Sequence, residues 1–93
     1  MGTKNNPGSY DCYANAEPDE PMFVLLGRDP AAAVLVRAWL AIRREMDYDA
    51  EVGKYEEALA CAAKMEEWAR SKGKGERVDK VNEIVLDVVL ADV

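Results

Sequence analysis

The stretch "DPAAAVLVRAWLAIRREM", residues 29–46, decides the fold, because a helix start signal precedes an almost unbroken apolar run. Asp29 is a good N-cap residue, and Pro30 falls at the first helical position, where a missing N–H has no cost. In residues 31–42, eleven of twelve residues are apolar, and only Arg37 interrupts them. Since a helix that is apolar on all faces is buried on all faces, we predict a long, buried helix over residues 29–46.

This helix also predicts self-association. The chain has 93 residues, which make one domain and leave little material to surround an apolar helix. One stripe of the helix carries Leu35, Trp39, Ile42 and Met46. Either the other helices of the chain surround it, or a second copy covers the flank that they leave. We favour the second copy, and therefore predict a homo-oligomer with Val36, Trp39 and Leu40 at its interface.

Two further helices follow from periodic apolar faces. Residues 50–72 form the first of them, with a face made of Tyr55, Ala58, Ala62, Met65 and Ala69. Gly73 is predicted to end this helix as a left-handed cap, and Glu66 and Arg70 form a favourable i,i+4 pair. Residues 76–91 form the next helix, with a stripe made of Val78, Val81, Val85 and Val88. Residues 84–90, "IVLDVVL", are rich in β-branched side chains and leave a strand as the alternative.

The first part of the chain differs from the rest in composition. Residues 1–18 are polar and rich in turn formers, which indicates an extended N-terminal arm, and residues 19–93 make a single helical domain. Asp19, Pro21 and Gly27 suit the start and end of a short helix over "PMFVLL". The predicted fold is all-α: a small helical bundle of a short helix, a long buried helix, a second long helix and a C-terminal helix.

Composition excludes several classes of function. The chain has no histidine, which removes the commonest general base and metal ligand, so we expect no metal, no cofactor and no enzymatic activity. A net charge of −6 disfavours binding to DNA or RNA. No apolar run is long enough to span a membrane, and no signal peptide is evident, so a cytosolic location is expected. Cys12 and Cys61 are then free thiols.

Basic and tyrosine side chains are the candidates for ligand binding. Lys72 and Lys74 lie in a glycine-containing loop, "ARSKGKGER" (69–77), whose backbone suits an approach to phosphate. The alternative is a simple interhelix loop with capping lysines. Arg28 precedes the long helix and is placed to receive an anion at its N-terminus. Tyr10 and Tyr13 in the arm offer rings for stacking, whereas Trp39 and Trp68, at helical positions, are expected in the core.

Two segments carry a resemblance to a known group of proteins. They are "EPMFVLLGRDPAAAVLVRAW" (20–39) and "KYEEALACAAKMEEWA" (54–69), which resemble a family of small, mostly uncharacterised bacteriophage and prophage proteins. The shared positions are Phe23, Val24, Leu25, Asp29, Val36, Trp39, Glu57, Ala58, Ala62, Met65 and Trp68. The chain departs from the family pattern at Gly27, usually alanine, and at Ala33, often proline. The resemblance implies a phage accessory protein without a defined activity.

Three functions remain after these exclusions. The first is a counter-defence protein that sequesters a nucleotide-derived signal, such as a cyclic nucleotide or an ADP-ribose-type ligand, at a subunit interface. Its predicted contacts are Tyr10, Tyr13, Arg28, Lys72 and Lys74. The second is an inhibitor whose acidic surface binds a host defence protein. The third is a structural phage protein without a ligand.

Overall fold

The computed structural model describes residues 1–47 and 52–91, with side chains placed for residues 1–46 and 52–84. These ranges contain four helices: α1 (Cys12–Asn15), α2 (Ala32–Asp47), α3 (Val52–Ser71) and α4 (Gly75–Ala91). They contain no strand, so the prediction of an all-α helical bundle is confirmed. Residues 84–90 are helical, which decides against the alternative strand. None of the helices in these ranges is long and apolar enough to cross a bilayer.

The predicted short helix over "PMFVLL" is wrong. Residues 20–26 form neither helix nor turn, because Pro21 pushes the residue before it towards extended conformations and so few residues cannot offset helix nucleation. Gly27 is not a left-handed cap, since positive φ is found only at Gly8 and Gly73 in the described ranges. The short helix lies instead in the arm, which is therefore not wholly extended. It is α1, whose N-cap Asp11 accepts a hydrogen bond from the N–H of Ala14 at 3.2 Å.

The core lies mainly between α2 and α3, and small side chains let the two helices approach closely. The buried residues are Ala32, Ala33, Val34 and Leu40 of α2, Tyr55, Ala58, Ala62 and Ala69 of α3, and Val78 of α4. This confirms the predicted apolar face of α3, on which Met65 is half-buried. On α4, Val78 is buried and Val81 half-buried as the valine stripe predicts, whereas the side chains of Val85 and Val88 lie outside the described residues.

Burial of α2 on all sides is not found within the single chain. The stripe made of Leu35, Trp39, Ile42 and Met46 is exposed, and Ile42 and Met46 retain 59% and 70% of their accessible surface. Among the described elements, α3 covers one side of α2 and α4 contacts α2 only slightly, so burial of the other side by a second copy stays a prediction. Trp68 is also exposed, at 54%, so its expected core position is wrong, and Trp39, at 36%, lies only at the edge of the core.

The joint between α3 and α4 forms as the sequence predicts. Gly73 has a φ of 80°, a left-handed conformation that glycine adopts without strain. The N–H of Lys74 donates to the carbonyl of Ala69 at 3.0 Å, and the N–H of Gly73 donates to the carbonyl of Arg70 at 3.1 Å. These are the two hydrogen bonds of a Schellman motif, which satisfies carbonyl groups at the end of α3 and sets the start of α4.

Glu66 joins the three long helices through ion pairs. Its Oε1 accepts a hydrogen bond from Nη1 of Arg37 in α2 at 2.7 Å, and its Oε2 lies 3.4 Å from Nε of Arg70. Nη2 of Arg70 in turn contacts Oδ1 of Asp79 in α4 at 2.9 Å. The hydrogen bond from Arg37 is the main cause that holds the pKa of Glu66 below its usual value of 4.5, against a smaller opposing effect of burial.

This cluster predicts a pH-dependent loss of stability. Because the pKa of Glu66 is lowered in the folded state, its contribution is full above about pH 4.5 and is lost as the pH falls through the folded pKa. We expect Glu66→Gln to lower the free energy of unfolding by about 1 kcal/mol at pH 7, the upper end of the range for exposed pairs. Urea denaturation at pH 7 and pH 3 measures the effect, with Glu67→Gln as the exposed control. A loss of equal size at both pH values would contradict the assignment.

Candidate functional site

The N-terminal arm is held on α3 by a single carboxylate. The α-ammonium group of Met1 lies 3.4 Å from Oε1 of Glu57, and the N–H of Ser9 donates to the same oxygen at 2.9 Å. The ammonium group also donates to the carbonyls of Pro7 at 2.6 Å and Tyr10 at 2.5 Å, which closes the first ten residues into a loop. The arm is therefore attached to α3, although none of residues 1–16 is buried.

A groove, which we call the arm groove, runs between this loop and α3. Its volume is about 480 Å³, within the range of small-molecule sites. The apolar lining consists of Leu25, Leu26, Ala60, Cys61, Met65 and Trp68. Polar side chains from the arm and from α3 stand along the groove, including those of Lys4, Asn6, Glu57 and Lys64. The groove thus combines an apolar surface with two lysine ammonium groups, beside the α-ammonium group of Met1.

The ammonium group of Lys72 lies over Trp68, at the end of the arm groove that we call the basic end. Nζ of Lys72 lies 4.8 Å from the centre of the Trp68 ring, a cation–π contact. Gly27 packs against the same residue, since a Cβ added there would lie 3.5 Å from Cβ of Trp68. Nζ of Lys74 donates to the carbonyl of Arg28 at 2.8 Å. Three of the predicted ligand contacts, Arg28, Lys72 and Lys74, are therefore neighbours.

The two predicted tyrosines lie elsewhere. Tyr10 and Tyr13 line a second groove of about 550 Å³ together with residues 21–24. We call it the tyrosine groove. The hydroxyl of Tyr10 lies over Gly53, where an added Cβ would come within 2.8 Å of it. Fifteen residues separate Gly53 from Trp68 on α3, which is about 22 Å at 1.5 Å per residue. One small ligand within one chain cannot contact both groups, so the five predicted residues do not form a single site within one chain, and their meeting at a subunit interface stays a prediction.

The residues predicted at the oligomer interface have different environments. Leu40 is buried within the chain at 3% exposure, so its side chain contributes to the core and is not available to a partner. Val36 is half-buried. Trp39 lies at the edge of the core, where its ring meets that of Tyr55 edge-on with centroids 5.9 Å apart. Oligomerisation stays a prediction, and the exposed surface that supports it consists of Trp39 and the rest of the α2 stripe.

Trp68, Lys4 and Lys64 line the arm groove but are not among the ligand contacts that the sequence predicts. A signal for Trp68 was present, since Lys72 follows it by four residues and the two side chains meet at the end of a helix. No pattern indicated Lys4, because its position depends on the fold of the arm over α3. Both cysteines are free thiols as predicted, Cys12 exposed and Cys61 half-buried in the arm groove.

The arm groove carries groups that suit an aromatic, anionic ligand. Trp68 offers an aromatic face, and ammonium groups on both sides of it offer charge for an anion. Within the residues that the structure describes, no three potential metal-ligating side chains come together. Comparisons with protein-family models, with curated proteins and with solved structures find no match to this chain.

Proposed function

We propose that this chain is a non-enzymatic phage accessory protein that binds and sequesters a small nucleotide-derived ligand. The observation that carries the proposal is the arm groove, with Trp68 exposed at 54% at its basic end. The phage origin and the counter-defence role come from the resemblance of residues 20–39 and 54–69 to phage proteins. A base, a sugar and a phosphate together match a groove that is apolar inside and cationic along its rim.

The ligand would be held by stacking and by charge. A base stacks on the Trp68 ring, and the ammonium group of Lys72, now over that ring at 4.8 Å, turns to a phosphate of the same ligand. Lys64, along the groove, is placed for a second phosphate. Lys74 would contribute less to ligand binding than the sequence indicates, because its ammonium group already donates to the Arg28 carbonyl.

Calorimetry of the purified protein against cyclic dinucleotides, ADP-ribose and mononucleotides tests the proposal. We expect Trp68→Ala to weaken binding by about 10-fold to 100-fold, since base–aromatic stacking contributes about 1–3 kcal/mol. Lys72→Ala is expected to weaken binding by about tenfold through loss of a charge-assisted contact. Lys80→Ala is the matched control, because Lys80 pairs with Glu83 on α4 and does not line the groove.

The outcomes test the proposed function and the proposed binding site separately. Absence of heat with every nucleotide would contradict the proposed function. Binding that survives both Trp68→Ala and Lys72→Ala would keep the function and refute the site. The ligand should be recovered unchanged after denaturation of the complex, and recovery of a cleaved product would contradict a non-enzymatic role.

A second candidate function is inhibition of a host protein by direct contact. The observation that favours it is the exposed apolar stripe of α2, on a chain of net charge −6. The acidic surface would attract a basic partner, and the exposed apolar stripe would form the centre of the interface. Ile42→Glu would then abolish partner binding and leave nucleotide binding unchanged, which distinguishes the two functions in one protein preparation.

A further inference from the structure

Residues 1–10, which we call the arm loop, are held together by hydrogen bonds within the loop. The N–H of Thr3 donates to the carbonyl of Asn6 at 2.8 Å, and the N–H of Asn6 donates back to the carbonyl of Thr3 at 3.2 Å. The α-ammonium group of Met1 donates to the carbonyl of Tyr10 and so joins the two ends of the loop. Because these bonds lie within the arm loop, they do not require its contact with α3.

The contact that holds the arm loop on Glu57 is polar and exposed. Oε1 of Glu57 accepts a hydrogen bond from the N–H of Ser9 at 2.9 Å and lies 3.4 Å from the ammonium group of Met1. Exposed ion pairs stabilise a contact only weakly, and none of residues 1–16 is buried. Segments with few buried apolar contacts open locally at a much lower free energy than the whole domain. The arm loop is therefore expected to leave α3 while the long helices stay folded.

The arm loop is also one wall of the arm groove. The opposite wall belongs to α3 and includes Cys61 and Met65, which are both half-buried. Release of the arm loop removes the first wall and uncovers these two side chains. The residues that the arm loop contributes to the lining are Met1, Gly2, Thr3, Lys4, Asn6 and Gly8.

Gly8 allows the arm loop to lie against Glu57. Its φ of 80° is a left-handed conformation, which glycine adopts without strain. A Cβ added at Gly8 would overlap Oε1 of Glu57, and it would come within 2.5 Å of the carbonyl oxygen of Met1. If the carboxylate turned away from this Cβ, it would lose the N–H of Ser9. The closed arrangement thus requires glycine at position 8 for two separate reasons.

We propose that the arm loop is a lid, which opens the arm groove by leaving Glu57 and closes it by returning, with Tyr10 as the hinge. The hydroxyl of Tyr10 lies over Gly53 near the start of α3, which keeps this end of the arm loop in place. A ligand that enters the open groove is enclosed when the lid returns, as with the mobile loops that cover many binding sites. This movement does not depend on which ligand the groove binds.

The thiol of Cys61 reports the opening of the lid. In a background with Cys12→Ser it is the only thiol of the chain. We expect Gly8→Ala to raise the rate at which a bulky neutral maleimide modifies Cys61 at least about tenfold, with an unchanged circular dichroism spectrum, because the left-handed conformation alone disfavours alanine by about that factor. Gly75→Ala is the matched control, since a Cβ added there lies 3.5 Å from Arg70, an ordinary contact distance.

A second variant weakens the contact without changing the backbone. We expect Glu57→Gln to raise the rate of Cys61 modification by about twofold to fivefold, the range that corresponds to loss of an exposed ion pair. Glu56→Gln is its control, because Glu56 is the preceding residue on α3, is exposed and lines neither groove. This control is expected to leave the rate unchanged.

Hydrogen exchange followed by NMR shows whether the opening is local. In the unmodified chain, we expect the N–H of Ser9 to have a protection factor at least about 100-fold lower than the N–H of Ala62, in the middle of α3. In Gly8→Ala, the N–H of Ser9 should lose its protection, whereas that of Ala62 should keep it.

Three results would overturn the proposal. Equal protection of Ser9 and Ala62 in the unmodified chain would mean that the arm loop leaves α3 only when the domain unfolds. An unchanged rate of Cys61 modification in Gly8→Ala would mean that the arm loop does not cover this thiol. An equal acceleration in Gly75→Ala would assign the effect to general destabilisation. None of these measurements uses a nucleotide, so their failure is distinct from a failure of the proposed function.

Discussion

Replacement of Leu40 by alanine is expected to lower the free energy of unfolding by about 2–5 kcal/mol, the usual range for a buried leucine. Leu40 is only 3% exposed and is the largest aliphatic side chain among the buried residues of α2. Its truncation leaves a cavity between helices whose other buried side chains are mostly alanines, which cannot move to fill it. A 93-residue domain has a total stability of about 5–14 kcal/mol, so the variant is close to unfolding at room temperature.

Urea denaturation measures this effect, and Ile42→Ala is the control. Ile42 lies two residues further along the same helix, is 59% exposed, and loses the same kind of apolar surface. We expect a change below about 0.5 kcal/mol for this control at low protein concentration. If Ile42→Ala lowers the free energy of unfolding by more than this, and the loss depends on protein concentration, then another copy covers the stripe. Equal effects of the two replacements at every concentration would contradict the position of Leu40 in the core.

Enlargement of Ala62 to leucine is expected to destabilise the domain by about 1–3 kcal/mol, through overpacking. Ala62 is completely buried on the apolar face of α3, where close packing of the long helices leaves no space for a larger side chain. Helix propensity cannot account for the loss, because alanine and leucine are both strong helix formers.

Ala63→Leu provides the comparison, since Ala63 is the next residue on α3 and is exposed. We expect its melting temperature to change little, whereas that of Ala62→Leu falls by about 4–8 °C for each kcal/mol lost. If both variants melt at the same temperature, the helices do not approach each other closely at Ala62.

The sequence was sufficient to predict the three long helices. Periodic alanines on α3, the Gly73 cap and the Glu66–Arg70 pair are local signals, and each acts in the structure as expected. The apolar run of α2 predicted the helix, whereas the single chain buries only one side of it. Apolar character shows which side chains gain from burial, whereas actual burial depends on how much of the chain remains to cover them.

Prediction of the site was weaker because it depended on contacts between distant residues. The basic residues Arg28, Lys72 and Lys74 meet because a loop before α2 packs against the end of α3, a contact across 46 residues that no local pattern specifies. The only reason to group Tyr10 with these residues is its residue type. In the structure, the fold of the arm puts Tyr10 near the other end of α3.

The different surroundings of the two tryptophans give this protein two separate optical reporters. Trp39 meets the ring of Tyr55 at the edge of the core, so its emission is sensitive to packing between α2 and α3. Trp68 lies in the arm groove under the ammonium group of Lys72, where a bound aromatic ligand would quench it. Because the chain contains only these two tryptophans, Trp39→Phe isolates the fluorescence of the groove and Trp68→Phe isolates that of the core. Changes in the core and changes at the arm groove can thus be followed independently by the protein's own emission.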